Sequence, residues 1–131
     1  MDVVPIDAQR CRPPVACSAH RYIAEVANLT IHEALAAFVA ERDWAQFHTP
    51  ENLAKSISIE AAELLELFQW SPGADEQQIQ DELADVLTYA YLLAARLKLN
   101  PDDIVRAKLA KTREKYPVEK SRGTSAKYDQ L

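Results

Sequence analysis

Residues 56–95 read SISIEAAELLELFQWSPGADEQQIQDELADVLTYAYLLAA, and this stretch decides the fold. Apolar residues recur through it at helical spacing: Ile57, Ala61, Leu64 and Phe68 before Ser71-Pro72-Gly73, then Leu83, Val86, Leu87, Ala90 and Leu93 after it. The spacing predicts two helices, over about residues 50–70 and 75–99. A connection this short makes them antiparallel neighbours. The stretch also holds eight carboxylates and no Lys or Arg. Four of these form two pairs, Glu60-x-x-Glu63 and Glu82-x-x-Asp85, one on each predicted helix. Side chains three apart share one face of a helix, about 60° apart around its axis. Two facing helices can therefore bring four carboxylates to one point. Like charges gathered there repel unless a cation sits among them, and a hard divalent ion such as Mg²⁺ takes oxygen ligands. Carboxylate-held Mg²⁺ commonly grips substrate phosphates, so the pattern points toward phosphate chemistry.

Outward from this stretch the chain stays helical. Thr30-Ile31-His32-Glu33 has the form of a capping box, and Ile31, Leu35, Phe38 and Val39 continue as an apolar stripe. That first helix is expected to fade between Asp43 and Phe47. Thr49 and Pro50 fit the N-cap and first position of the second helix. Asn100-Pro101 breaks the third helix, and a fourth is expected from about Asp102 to just before Pro117. The remainder, to Leu131, reads as polar and extended. No strand pattern and no internal repeat is present. The expected fold class is all-α: an antiparallel helical bundle of four main helices, spanning residues 29–131. Residues 1–28 contain Pro5, Pro13 and Pro14, hold no period, and read as a separate N-terminal tail.

Composition narrows the function classes. A chain of 131 residues with 48 % hydrophobic content can bury a core as one domain. Its two glycines suit long helices with few tight turns. A net charge of −5 argues against general affinity for a nucleic-acid polymer. Residues 105–131 nevertheless carry eight basic side chains, so an acidic middle is followed by a basic end. Cys11 and Cys17 have no His or Cys partner at zinc spacing and read as free thiols of a reducing cytoplasm. No apolar run reaches the length of a membrane span, and no secretory h-region is present, so a cytoplasmic location is expected.

Each candidate feature has a plainer explanation beside it. Glu is a good helix former, and an isolated Glu-x-x-Glu usually marks a solvated face. Two such pairs on adjacent helices, with no intervening basic residue, are harder to explain that way. Glu66 lies about 120° from Glu60 and falls outside the same focus. A di-iron bundle would need Glu-x-x-His on two helices, and none of His20, His32 and His48 follows a Glu at that spacing. Trp44, Phe47 and His48 close the first helix, Trp70 closes the second, and Tyr89 stands one turn beyond Asp85. Any one of these aromatics packs a core as readily as it binds a ligand. At helix ends, however, aromatic faces can also stack on a nucleobase. Lys108, Lys111, Arg113 and Lys127 can neutralise phosphate oxygens, or simply complement a helix C-terminus.

The motifs Glu-Arg-Asp-Trp-x-Gln-Phe-His (41–48), Glu60-Ala-Ala-Glu63-Leu-Leu-Glu66-Leu-Phe-Gln-Trp70, Asp81-Glu82-Leu-Ala-Asp85-Val-Leu-x-Tyr89, Lys115-Tyr116-Pro117 and Lys127-Tyr128 occur in that order. As a set they resemble the MazG-like all-α nucleoside triphosphate pyrophosphohydrolases, and within them the small dCTP pyrophosphatase branch, over residues 30–131. The resemblance implies a homodimer or dimer of dimers. It implies Mg²⁺-dependent hydrolysis of a (deoxy)nucleoside triphosphate, dCTP or a modified dCTP first, to the monophosphate and pyrophosphate. It also implies metal binding by Glu60, Glu63, Glu82 and Asp85; on chemical grounds a carboxylate not saturated by metal, Glu60 or Glu63, is the expected general base. Trp44, His48, Trp70 and Tyr89 match positions lining the base and sugar pocket. Lys108 matches a basic position near the phosphates, and Lys127 and Tyr128 match a C-terminal motif. Thr112 departs from the pattern, since relatives often carry Asn there, and this bears on selectivity. Two other readings share the bundle: a nucleotide-binding regulatory module with little turnover, and a structural oligomerisation domain.

Overall fold

Thr30 starts the first helix as its capping box predicts. Its hydroxyl accepts from the Glu33 N–H at 3.3 Å, and the Thr30 N–H donates to the Glu33 carboxylate at 2.8 Å. In this computed structural model, which describes residues 27–70 and 73–130, α1 spans Ile31–Glu41. The N-terminal tail through residue 26, with Cys11, Cys17 and His20, lies outside the described residues, as do Ser71 and Pro72. The Thr30 hydroxyl also donates to the Glu33 carboxylate, at 2.7 Å, and this bond first, with the backbone N–H bond second, holds the Glu33 carboxyl below its ordinary value of 4.5. A carboxyl with a lowered folded-state pKa adds stability above its unfolded value and loses it as pH falls through the lowered one. Acid is therefore expected to fray the start of α1, and Thr30→Ala to weaken that pH dependence, since the backbone N–H bond remains; amide exchange of residues 31–35 reads both.

After α1 the chain turns at Asp43, whose backbone is left-handed (φ 52°), into a single 3₁₀ turn, Trp44–Phe47. The Gln46 side-chain amide clasps this bend, donating to both the carbonyl and the carboxylate of Asp43 at 2.9 and 2.8 Å. Thr49 then caps α2, Pro50–Glu66, with Pro50 at its first position. Asn52 in the first turn of α2 donates its side-chain amide to the Phe47 carbonyl at 3.0 Å, which ties the 3₁₀ turn to the helix.

Helix α3, Glu76–Arg96, begins at Asp75, whose side chain accepts from the Gln77 N–H. It ends with Lys98 in the left-handed region (φ 56°), where Lys98 and Leu99 return their N–H groups to Ala95 and Ala94. Asn100 caps α4, Pro101–Lys115, by accepting from the Asp102 and Asp103 N–H groups. The end of the chain differs from the extended expectation. A short helix α5, Val118–Ser121, and a 3₁₀ turn at Tyr128–Gln130 follow α4. Tyr128 packs edge-to-face on Tyr116 at 6.1 Å, with the Lys115 ammonium 4.9 Å from its ring centre.

The all-α class stands, with no strand among the described residues. Helices α2 and α3 make the extensive interface, and α1 touches α3 over a shorter stretch. The buried core among the described residues is Val39 of α1, Leu53 of α2 and Ala94 of α3. Leu53, only 1 % exposed, is its centre. Leu53→Ala is expected to cost about 2–5 kcal/mol, seen as a lower urea midpoint at unchanged slope. The apolar stripes are otherwise far less covered than their periodicity suggests. Phe68, Leu83, Leu87 and Leu97 are exposed, and so are Ile104, Val105 and Leu109 of α4. Helix α4 has no closely packed helical neighbour among the described residues.

Candidate acidic site and adjoining groove

Helices α2 and α3 run antiparallel in a register that sets Glu60 near Asp85 and Glu63 near Glu82. Glu60, Glu63 and Glu82 each offer a carboxylate oxygen, and these oxygens all lie within 4.8 Å of one another. Glu60 and Glu82 are half-buried, and Glu63 is exposed. Partial burial pushes the Glu60 carboxyl above the usual carboxylate range, and the charges of Glu63, Asp85 and Glu82 add to the rise in that order. Asp85 stands outside the tight triad but close enough for its charge to act on Glu60. No basic side chain forms an ion pair with any of these four among the described residues. An all-oxygen donor set that repels itself in this way fits a hard divalent cation, as a solvated acidic face would not require. Glu66 is exposed and outside the cluster.

A groove of about 430 Å³ opens beside this cluster, between α1 and α3. Asp85 and Tyr89 line it from α3, and Trp44 and His48 line it from the 3₁₀ turn and the residue after it. The periodicity that aligns Glu82, Asp85 and Tyr89 on one stripe of α3 thus also turns Tyr89 into the groove. Phe38 is a wall of the groove that the sequence presents only as a core position. Its ring meets Trp44 edge-to-face at 5.6 Å, and the Arg42 guanidinium lies 3.8 Å above its centre. An Arg–Phe–Trp stack of this kind fixes the aromatic wall by cation–π and quadrupole attraction. Thr88 also lines the groove. The sequence offers no signal for it, because a single Thr within a helical stripe looks like any other half-covered position.

Four other residues singled out from the sequence stand apart from the groove. Trp70, just past α2, is 85 % exposed. Lys108 sits on the open side of α4 beside Ile104, Val105 and Leu109. Lys127 pairs with Asp129 at 3.3 Å, and Tyr128 lies against Tyr116. Among the described residues, no helix is long and apolar enough to cross a membrane.

Comparison with known proteins follows the same outline. The MazG-like family matches residues 55–131. The dCTP pyrophosphatase 1 of Bos taurus is 42 % identical over 106 residues, covering 73 % of this chain and 63 % of its own length. That of Homo sapiens is 42 % identical over 106 residues, covering 73 % of this chain and 62 % of its own. The chain thus spans just under two thirds of the length of these relatives. A crystal structure of a pyrophosphatase from Archaeoglobus fulgidus is similar at a TM-score of 0.59 and 42 % identity, covering 65 % of this chain and 87 % of that one. The acidic pairs and most of the α2–α3 interface fall inside the matched region, and the chain belongs to the MazG-like family.

Proposed function

We propose that the protein hydrolyses nucleoside triphosphates, dCTP or a base-modified dCTP first, to the monophosphate and pyrophosphate, with Mg²⁺ as cofactor. The observation that carries this reading is the meeting of Glu60, Glu63 and Glu82 from two helices, beside a groove walled by Phe38, Trp44, His48 and Tyr89. The likeness to dCTP pyrophosphatases supports the same substrate class. An aromatic groove suits a base and a carboxylate cluster suits a metal-bound polyphosphate, so the two ends match the two ends of a nucleotide.

Glu60, Glu63, Glu82 and Asp85 would hold the metal, which when bound supplies neutralisation of phosphate oxygens and a lower pKa for water. The protein's own groups do the rest. Water attacks in line, its oxygen bonding to the α-phosphorus as the bond to the bridging oxygen breaks. The electron pair leaves with pyrophosphate, and the water proton passes to Glu60 or Glu63 as general base. Trp44, His48 and Tyr89 hold the nucleoside so that the α-phosphorus stays at the cluster. Trp70, Lys108, Lys127 and Tyr128 enter this scheme as substrate contacts completed by assembly. The wide exposed apolar surface supports a homo-oligomer, a dimer or dimer of dimers.

Incubation with dCTP and Mg²⁺ tests the activity. Pyrophosphate released over many turnovers, stopped by EDTA and restored by added Mg²⁺, is the expected result. Nucleotide binding without release would instead favour a regulatory module, and neither would leave a structural helical domain.

A further inference from the structure

We propose that Thr88 reads the sugar of the bound nucleotide, through a hydrogen bond between its hydroxyl and the 3′-hydroxyl of the pentose. This rests on the hydrolase reading and deepens it. Thr88 is half-buried in the middle of α3 and lines the groove next to Asp85, Tyr89 and Leu92. A hydroxyl inside a helix commonly turns back onto the carbonyl four residues earlier. Ser58 does so to Ala54 and Thr112 to Lys108, each at 3.0 Å. Thr88 does not, and its hydroxyl has no hydrogen-bond partner among the described residues. A weak helix former thus occupies a mid-helix position with its polar group unused in the fold. A ligand that covered this hydroxyl without meeting it would leave a desolvated donor and acceptor.

The place of Thr88 along α3 selects which part of the ligand it meets. About 4.5 Å of helix rise separates it from Asp85, whereas Leu92 lies about 10 Å from Asp85. With the triphosphate at the acidic cluster, the pentose is the next group along a nucleotide and the base comes after it. Leu35, Phe38 and Leu92 also wall the groove and, with Trp44, suit the faces of a base. At the level of Thr88 the pentose presents its 3′-hydroxyl, at once donor and acceptor, as is the threonine hydroxyl.

Pyrophosphate release from dCTP and from 2′,3′-dideoxy-CTP, by the native protein and by Thr88→Val and Thr88→Ser, tests this. The native protein is expected to favour dCTP about tenfold in kcat/KM, the worth of one hydrogen bond. Thr88→Val, which keeps the shape, should bring that preference to within about twofold of unity by slowing dCTP alone. Thr88→Ser should restore it. Thr88→Ala carries the same test if the valine variant does not fold. Equal preference in native and valine proteins, or none in the native protein, overturns the assignment and leaves nucleotide hydrolysis standing. A changed base preference with the sugar preference intact also overturns it. If native protein releases no pyrophosphate from dCTP, the hydrolase reading itself falls.

Discussion

Glu63→Gln is expected to reduce pyrophosphate release from dCTP at least about 100-fold, the scale on which a single electrostatic partner of a reacting phosphate acts. The variant should remain helical. Metal-free, it should melt at a higher temperature than the native protein. Both effects have one origin. Glu63 shares a 4.8 Å cluster with Glu60 and Glu82, and its charge raises the proton affinity of Glu60. Without a cation those charges oppose folding, and with one they anchor it. Removing one charge while keeping the shape relieves the metal-free fold and weakens the metal-bound state. Thermal melts with and without Mg²⁺ read this directly: the stabilisation by Mg²⁺ should shrink as the metal-free melting temperature climbs. Native turnover in Glu63→Gln would remove this residue from the metal shell. Asp85→Asn is a useful companion, since Asp85 stands outside the triad yet lines the groove. Its loss should fall on turnover with a smaller gain in metal-free stability.

Leu109→Asp is expected to convert the proposed homo-oligomer to a monomer and to lose much of the helical signal of α4. Ile104, Val105 and Leu109 are 44 %, 55 % and 55 % exposed, and α4 has no closely packed helical neighbour among the described residues. A helix of 15 residues is marginal in water on its own. In the proposed homo-oligomer a second copy covers this exposed face of α4. Charge supports the same occupant: Lys108, Lys111, Arg113 and Lys115 are basic, whereas residues 56–95 carry eight carboxylates and no Lys or Arg. A carboxylate at position 109 would bury an unpaired charge in that contact, which is strongly unfavourable. Light scattering measures the mass, and far-ultraviolet circular dichroism measures the helix. A native protein that is monomeric at micromolar concentration would defeat this expectation.

Helix starts were the most legible part of the chain, because a cap is local chemistry. Thr30 with Glu33 and Thr49 with Pro50 stand where their side chains predict, and the fourth helix, expected from about Asp102, starts one residue earlier at Pro101 with Asn100 as its cap. The acidic pairs were legible for a similar reason, since a three-residue spacing on adjacent antiparallel helices restricts where the carboxylates can meet. Helix ends were less so. Helix α2 stops at Glu66, four residues before Trp70, because irregular turns over residues 67–70 replace its last turn. The short helix at Val118–Ser121 was hidden by its polarity and its position after Pro117. The places of Phe38 and Thr88 in the groove were not legible, because groove walls and core stripes use the same residue types. Nor does periodicity separate an apolar face that meets its own chain from one that meets something else, which is why Leu83, Leu87 and Leu109 look like core in the sequence and stand exposed in the fold.

The Asn52 amide bond to the Phe47 carbonyl has a mechanical consequence. It fastens the aromatic turn to the same rod that bears Glu60 and Glu63 two to three turns further on. The turn and these two carboxylates thus travel with one rigid element, while the remaining walls of the groove belong to α1 and α3. Any motion of that element carries both features at once, so the distance from aromatic wall to acidic cluster is kept by the length of α2 itself.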